Sequence, residues 1–524
     1  MKIINPALIY LASSLLLYFG KAKWRKVIAL LTSLITALFI LDLAPGQILR
    51  LPFLDFELIL LDVTKVNKFI GIIFIIFNAA SIIYGINLFR RKDYWLSYFY
   101  IGASLGIIFV GDFFSFYICW ELMTVSSYFL IFNNNKPVTR QTSYYYFMMH
   151  LVGAISLLWG ILLHYNAVGS MVLTRVEVGL PFFILAVGIK LAFIGLHTWL
   201  PKTYAQTPFY ISVLLSAYTT KVGVYACYKL LPPLDYLAYA GVVSALLGVV
   251  FALLQTEIRQ ILSYHIISQI GYMIASLEFS AHRLSQLGGF AHLGNHIFYK
   301  GLLYMVAGVI IYTTGKEDLG DLGGLSKKLP YTTIFAVIAA ASIAGVPFFN
   351  GYTSKLLIKK ATAGPIMKWG LYIAGIGTSL SFLKILYFAF FRRKHKSLTL
   401  EERPSLSMLS GMGILAILCI IIGLRPQWLL ALLGGVKKEI DYFSFHYLWL
   451  GLQPTILALI LFKVAYQWIK PQEHKKYGVD LYLYLGRALH YLSSQLSYFH
   501  NGDLQRYLLW ILTALVILWS QVLI

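Results

Sequence analysis

Ionisable side chains lie deep inside long apolar segments of this sequence, where a charge is costly. Five of them are far from the ends of their segments: Glu121, Lys190, Lys221, Lys300 and Lys355. An ionisable group at the centre of a bilayer costs about 2.5–3.5 kcal/mol on insertion scales. Such groups are kept where they pair, line water or do chemical work, and desolvation favours the neutral form of a buried lysine. These residues therefore predict a set of sites that load and release a proton.

Two histidines extend this set along one helix. His292 and His296 are four residues apart and Lys300 follows after four more, so all three share a helix face. Histidine titrates near neutral pH, which suits a proton relay. Two histidines at this spacing also bind zinc, but no third ligand accompanies them and the nearby lysine repels a cation. We therefore favour the relay and expect no metal.

Three other lysines in apolar segments lie near the predicted ends of those segments. They are Lys229, Lys384 and Lys463. A lysine near a helix end extends its apolar stem along the helix and places its ammonium among the lipid headgroups. We expect these three side chains to be structural, unlike the five above.

The elements that hold the buried charges are transmembrane helices. Of the 524 residues, 59% are hydrophobic and 12% are charged, with a mean hydropathy of +0.74. A globular protein has about 25% charged residues, so soluble multidomain and disordered proteins are excluded. The apolar runs are continuous, whereas a β-barrel alternates polar and apolar residues. Three distant cysteines without a CxxC motif argue against a disulfide framework or a metal knuckle. We predict an all-α polytopic membrane protein.

Roughly sixteen membrane spans are predicted from the apolar runs. They cover residues 3–20, 27–44, 69–89, 94–111, 113–132, 141–165, 178–200, 208–231, 237–255, 261–279, 287–312, 332–358, 369–391, 407–424, 454–469 and 506–523. Residues 53–62 alternate in part and predict an external hairpin strand. Leucines recur at helical spacing in residues 478–498, which predicts a helix in the membrane interface.

The distribution of basic residues sets the expected orientation. The net charge is +22, which in a membrane protein reflects Lys and Arg in cytoplasmic loops. With the N-terminus outside, the cytoplasmic loops hold about twice as many Lys and Arg as the outer loops. We therefore expect the N-terminus outside and the basic loops inside.

Two of the predicted helices are interrupted by glycine and proline. Lys190 is followed by Gly195 and Pro201, and Gly345 and Pro347 precede Lys355. Broken helices at membrane depth are tolerated where they line protein or water. Paired interruptions in corresponding halves of a transporter indicate the transport site. Here the two interruptions are roughly five spans apart. Because this number is odd, the second half of the repeat would be inverted in the membrane relative to the first.

Six motifs in this order resemble the antiporter-like subunits of the respiratory complex I superfamily. This superfamily includes NADH:quinone oxidoreductases, membrane-bound hydrogenases and multisubunit Na⁺/H⁺ antiporters. The resemblance covers approximately residues 60–425. The motifs are Phe116–Met123 (FYICWELM), Leu196–Pro201 (LHTWLP), Gln255–Tyr264 (QTEIRQILSY), Ser268–Tyr272 (SQIGY), His292–Gly301 (HLGNHIFYKG), and Gly345–Pro347 followed by Gly351–Lys355 (GYTSK).

The resemblance implies a core of fourteen helices with two inverted five-helix repeats and two broken helices. By this resemblance residues 1–93 form three N-terminal helices, residues 94–231 the first repeat and residues 237–391 the second. Residues 392–524 form the C-terminal helices with the interfacial segment. The two repeats would each hold one of the broken helices.

The resemblance also implies roles for the buried charges. It makes them an ion-translocation path that begins at a glutamate on the fifth span and ends at a lysine on the twelfth. Carried over by motif or, for the lysines of the seventh and eighth spans, by position in the span, the path residues are Glu121, Lys190, Lys221, His292, His296, Lys300 and Lys355.

The sequence departs from the family pattern at several positions. Lys202 follows the LHTWLP motif where an acidic residue is usual, and Glu257 stands for the commoner aspartate. His265 and Ile266 replace two serines. These departures concern local loop geometry rather than the path residues.

The resemblance favours a proton- or sodium-translocating subunit of a redox-driven complex of the complex I or membrane-bound hydrogenase type. This chain would carry no redox centre or other cofactor. The alternatives are a subunit of a multisubunit Na⁺/H⁺ antiporter and a scaffold subunit without pumping activity. The expected partners are other membrane subunits, including further antiporter-like subunits and a redox arm, within the lipid bilayer of the cell membrane. No nucleic acid is expected.

Overall fold

The computed structural model describes most of the chain. It covers residues 4–132, 137–278, 283–362, 364–393, 399–435 and 440–471, with Tyr491 and Ser494. The predicted span 506–523 lies outside the described residues, and so does the predicted interfacial helix 478–498 apart from Tyr491 and Ser494. The helices given below belong to one compact unit, Met1–Lys475.

Helices make up almost all of this unit. They are α1 (Pro6–Phe19), α2 (Ala22–Asp42), α3 (Lys65–Gly85), α4 (Arg91–Phe109), α5 (Phe113–Phe132), α6 (Pro137–Val168), α7 (Leu180–Leu191), α8 (Trp199–Gln206), α9 (Phe209–Leu230), α10 (Asp235–Leu254), α11 (Ile258–Glu278), α12 (Arg283–Thr314), α13 (Leu325–Lys328), α14 (Pro330–Ala344), α15 (Asn350–Ala361), α16 (Pro365–Ile385), α17 (Leu406–Leu424), α18 (Pro426–Leu432), α19 (Phe445–Val464) and α20 (Tyr466–Ile469). A π-helical turn, Leu386–Phe391, continues α16.

The prediction of an all-α polytopic membrane protein is confirmed. In the described part of the chain, nine helices are long and apolar enough to cross a bilayer. The shorter apolar helices α1, α7 and α14 add to them. Each predicted span from 3–20 to 454–469 overlaps at least one helix of the structure. The total number of spans stays a prediction.

A β-hairpin interrupts the helices between α2 and α3. Strands β1 (Ile48–Phe53) and β2 (Phe56–Asp62) pair antiparallel. The strand expected at 53–62 is confirmed as β2, and β1 precedes it. Asp112 anchors the hairpin by accepting a hydrogen bond from the Ile59 amide at 2.8 Å, and Lys229 forms an ion pair with Asp62 at 3.1 Å.

The hairpin marks one face of the bundle, which we call the hairpin face. The Lys229–Asp62 ion pair places the end of α9 there. Arg283, at the start of α12, donates to the carbonyl of Gly434 after α18, which places these two elements at one end of the bundle. Because consecutive helices run in opposite directions, the end of α15 and the starts of α16 and α19 share the hairpin face.

Helix α12 lies at the centre of the bundle and is buried along almost its whole length. It packs against α9, α11, α14, α15 and α17. By contrast, α19 lies at the periphery and buries few residues. Charged side chains in the middle of α12 are therefore enclosed by protein and do not reach the headgroups.

Both predicted breaks are confirmed, and backbone conformation explains them. Helix α7 ends where Ala192 adopts φ 56° and Gly195 adopts φ +96°. Helix α14 ends where Gly345 adopts φ +81° and Phe348 adopts φ 72°. Positive φ values cannot continue a right-handed helix. Pro201 lies in the first turn of α8, so it restarts the helix rather than breaking it.

Candidate functional site: a buried row of lysines and histidines

Lys190 lies at the last turn of α7 and is almost completely buried. Its ammonium donates to Thr124 Oγ1 at 3.1 Å and lies 4.3 Å from the centre of the Trp120 ring. These two residues flank Glu121 on α5. The charges of Glu121 and Lys190 interact electrostatically, but the ion pairs of the described residues do not include a direct one between them. Glu121 and Lys190 therefore interact through their charges without a direct ion pair.

Glu121 itself is only half-buried. Its Oε1 atom is enclosed and has no hydrogen-bond partner among the described residues. An enclosed carboxylate oxygen without a donor is costly. Lys190 supplies the nearby positive charge that compensates part of this cost.

The two broken helices use their freed carbonyl groups in the same way. A helix that ends inside a membrane leaves carbonyl oxygens that need donors. At the first break, the indole of Trp199 donates to the carbonyl of Ile189 at 2.9 Å. At the second break, the ammonium of Lys355 donates to the carbonyl of Ile343 at 2.6 Å. The lysine of the second half is thus held by the break itself.

A cluster of polar side chains also lies beside Lys190. His150 is buried, contacts Tyr146 ring to ring at 4.1 Å, and interacts electrostatically with Lys190. Tyr146 in turn shares a hydrogen bond with Ser127 at 2.8 Å. The His150 Nε2 atom has no partner among the described residues. This cluster gives Lys190 polar neighbours in addition to Glu121.

The centre of the row consists of Lys221, Lys300 and His296. Lys221 on α9 is buried and donates to the carbonyl of Ser216. Lys300 on α12 is buried, its Nζ atom has no hydrogen-bond partner among the described residues, and it lies 5.9 Å from the ring of Phe382. His296 interacts electrostatically with both lysines. Three titratable groups from two helices therefore share one enclosed region.

His292 connects this centre with the second broken helix. Its two nitrogens contact Ser354 Oγ at 3.0 Å and Gln269 Oε1 at 3.2 Å. Tyr299 also reaches Gln269, at 3.4 Å. Ser354 immediately precedes Lys355, so a hydrogen bond from α12 ends one residue before the last lysine of the row.

The seven predicted path residues therefore lie in sequence across the molecule. Glu121 and Lys190 form one end, Lys221, Lys300 and His296 the centre, and His292 and Lys355 the other end. The structure brings together residues from α5, α7, α9, α12 and α15. Their roles in translocation stay a prediction.

His265 on α11 is a buried titratable residue that is not among the predicted path residues. It is fully buried, and neither ring nitrogen has a partner among the described residues. Its ring contacts Phe382 at 4.8 Å, and its charge interacts with those of Lys300 and Lys355. The signal in the sequence is a histidine in place of a serine. The expectation that this departure concerns loop geometry is wrong for His265, which lies inside α11.

Two of the lysines expected to be structural are held by protein. Lys384 is buried and donates to the carbonyls of Leu253 and Gln255, both at 2.7 Å. It therefore satisfies the end of α10 instead of reaching the headgroups, so that part of the expectation is wrong. Lys229 forms the ion pair with Asp62 described above.

Comparison with known proteins identifies the family. Residues 110–381 match the family described as NADH:quinone oxidoreductase/Mrp antiporter, TM. The chain belongs to this family. The resemblance that the six motifs predicted is therefore confirmed. The matched region contains every predicted path residue from Glu121 to Lys355.

Three curated relatives come from three kinds of complex. Hydrogenase-4 component B of Escherichia coli is 27% identical over 63% of this chain and 56% of that protein. A Na⁺/H⁺ antiporter subunit of Alkalihalophilus pseudofirmus is 30% identical over 58% of this chain and 68% of that protein. An NADH-quinone oxidoreductase subunit of Desulforudis audaxviator is 28% identical over 57% of this chain and 65% of that protein. The chain thus spans little more than half the length of the first of these relatives.

Solved structures agree on the fold. A chain of the membrane-bound sulfane sulfur reductase, an archaeal respiratory membrane complex, superposes with a TM-score of 0.80 at 25% identity, covering 98% of this chain and 99% of that one. A chain of the Mrp complex from Dietzia sp. gives a TM-score of 0.85 at 20% identity, covering 99% and 62%. A chain of respiratory complex I from Thermus thermophilus gives 0.72 at 18% identity, covering 86% and 99%.

Proposed function

We propose that this chain moves protons or sodium ions across the cell membrane as one subunit of a larger complex. The observation that carries the proposal is the buried row from Glu121 to Lys355. A single chain of apolar helices holds seven titratable groups on five of those helices. Such an arrangement costs folding free energy and is kept where the groups do work.

Water completes the path at positions where the protein leaves polar atoms without partners. Among the described residues, Lys300 Nζ and both ring nitrogens of His296 have no hydrogen-bond partner. Buried polar atoms in this state bind ordered water in most proteins. Water bound there joins Lys221 to the histidines of α12 and carries protons between them.

Each part of the row has a defined role in this mechanism. Lys190 loads a proton, and Glu121 stabilises the charged form of that lysine. The centre of the row passes the proton through Lys221, Lys300, His296 and His292. Lys355 exchanges the proton with the outside, because the break between α14 and α15 interrupts the helix and frees backbone carbonyl groups beside its ammonium.

We infer that the N-terminus and the hairpin face lie outside the cell. The opposite face carries the more basic loops, among them residues 20–26 and 90–92. Lys and Arg are enriched in cytoplasmic loops of membrane proteins. The complex itself is proposed to be redox-driven, of the complex I or membrane-bound hydrogenase type, with a redox arm and further antiporter-like subunits as partners.

The test is to purify the complex through a tag on this chain and to identify the subunits and their cofactors. A redox-driven complex brings subunits with iron–sulfur clusters or flavin, and electron transfer then drives ion uptake in reconstituted vesicles. Lys190→Ala should abolish that uptake while the electron-transfer components remain assembled. Uptake at the wild-type rate in an assembled Lys190→Ala complex would contradict the proposal.

A subunit of a multisubunit Na⁺/H⁺ antiporter is the second candidate. It is favoured by the 30% identity to the Alkalihalophilus antiporter protein and by the superposition on a chain of the Mrp complex. In that case the purified complex lacks redox cofactors. A sodium gradient alone then moves protons in vesicles, which distinguishes the two candidates.

A further inference from the structure

An open cleft lies on the hairpin face, at the ends of α15, α16 and α19. It has a volume of about 730 Å³ and is lined by Lys359, Lys368, Trp369, Tyr372, Leu450 and Gln453, among others. Two of its lining residues are joined by a hydrogen bond from the Tyr372 hydroxyl to Gln453 Oε1 at 3.3 Å. This bond links α16 to the peripheral helix α19. None of the predicted path residues lines the cleft.

Two lysines face this cleft without an acidic partner among the described residues. The Lys359 ammonium lies 5.3 Å from the centre of the Tyr372 ring, and Lys368 is exposed. Neither belongs to the ion pairs of the described part of the chain. Two uncompensated positive charges at one cleft attract an anion, and an ammonium is a common ligand for phosphate.

The lining of the cleft is typical of the membrane interface. Lys359 is in the last turn of α15 and Lys368 in the first turn of α16. Trp369 beside them is 63% exposed, and tryptophan, tyrosine and lysine at helix ends are typical of the membrane interface. Further along α16 and α19, Ile373 and Leu457 expose apolar side chains that acyl chains can cover.

We propose that the cleft binds an anionic phospholipid, with its phosphate between the two lysine ammonium groups and its acyl chains along α16 and α19. A zwitterionic lipid is a poorer ligand, because its choline or ethanolamine cation would meet the same lysines. The lipid would hold α19, which buries little protein surface of its own, against α16.

A bound lipid would also lie close to the end of the predicted path. Lys355 and Lys359 are four residues apart on α15, a rise of about 6 Å. A second, smaller cavity contains both lysines and continues toward Pro454 on α19. The phosphate would thus lie about one helical turn from Lys355. This consequence rests on the proposed function, whereas the binding site does not.

Native mass spectrometry of the delipidated complex tests the proposal directly. Added phosphatidylglycerol or cardiolipin should bind to the wild-type complex at least about tenfold more tightly than phosphatidylcholine, since two charge-assisted contacts distinguish them. Equal binding of the anionic and zwitterionic lipids would overturn the proposal. Displacement of the lipid by millimolar inorganic phosphate would indicate a free-phosphate site and would also overturn the proposal. The same holds if a neighbouring subunit occupies the cleft in the complex.

A matched pair of variants locates the site. The Lys359→Gln, Lys368→Gln double variant should lose about tenfold in affinity for the anionic lipid. The Lys327→Gln, Lys463→Gln double variant removes the same charge away from the cleft, because Lys327 is exposed on α13 and Lys463 is exposed near the end of α19. It should bind as the wild type does. Equal loss in both variants would mean that only net charge matters and would contradict a specific site.

Discussion

At the residue scale, the contacts of the Lys190 ammonium group define the first part of the buried row. Lys190 is held by Thr124 and by the face of Trp120, and Glu121 lies between these two residues on α5. This arrangement keeps the carboxylate near the lysine without a direct ion pair that would trap the charge. In the proposed function, a proton is gained and lost at this amine while the side chain stays in place.

Replacement of Lys190 should stop translocation without preventing assembly. Lys190→Ala should lower ion uptake in vesicles by about 100-fold, a typical effect of removing a proton-transfer group. Lys190→Arg should lower it as strongly, because arginine does not deprotonate in this range. Lys463→Ala, near the end of the peripheral helix α19, is the control and should pump normally. An active Lys190→Arg variant would show that charge alone suffices.

His265 should contribute to the same process although it departs from the family pattern. His265→Phe keeps a buried ring and removes the titratable group beside Lys300, so ion uptake should fall several-fold while the complex still assembles. His164 is the matched control, since it is buried with both ring nitrogens unpartnered among the described residues and contacts Phe113 at 5.2 Å. His164→Phe should leave uptake unchanged. Equal effects of the two substitutions would indicate a packing role.

At the element scale, the second broken helix positions Lys355. The break requires Gly345 at φ +81°, and a Cβ atom there would lie 3.0 Å from Lys355 Cδ. The carbonyl of Ile343, freed by the same break, accepts the hydrogen bond of the lysine. Backbone conformation and side-chain position are therefore coupled in this element.

Gly345→Ala should impair translocation by displacing Lys355. The substitution places a side chain at positive φ, which costs about 1–2 kcal/mol, and also crowds the lysine stem. Gly324→Ala is the control, because Gly324 also has a positive φ, +69°, but a Cβ atom there meets nothing within 4 Å. Both variants should lose similar stability in thermal unfolding, and Gly345→Ala alone should lose ion uptake. Loss of uptake in both would assign the effect to backbone strain.

At the scale of the whole molecule, the proposed orientation rests on two faces with different charge. The hairpin face carries β1 and β2, and the opposite face carries the basic segments at residues 20–26 and 90–92. The enclosed row between them runs across α5, α7, α9, α12 and α15. A path of this kind has direction only if the orientation of the chain is uniform in the membrane.

Labelling from outside the cell should detect the hairpin face only. Asp55 is exposed at the turn of the hairpin, and Lys327 is exposed on α13 at the opposite face. In intact cells, a membrane-impermeant thiol reagent should label Asp55→Cys and leave Lys327→Cys unlabelled until the membrane is opened. The reverse pattern would invert the proposed orientation.

The sequence by itself predicted the membrane class, the two breaks and a set of seven path residues. Hydropathy and the cost of a buried charge act on local segments, so they can be read along one chain. The tertiary structure decided which of these residues meet. It joined His292 to Gln269 and Ser354, held Lys355 on the carbonyl of Ile343, and placed His265 beside Phe382. It also placed Lys384 on the end of α10, where a snorkelling side chain was expected. These contacts join residues that are distant in sequence, and only the packing of the helices sets their distances.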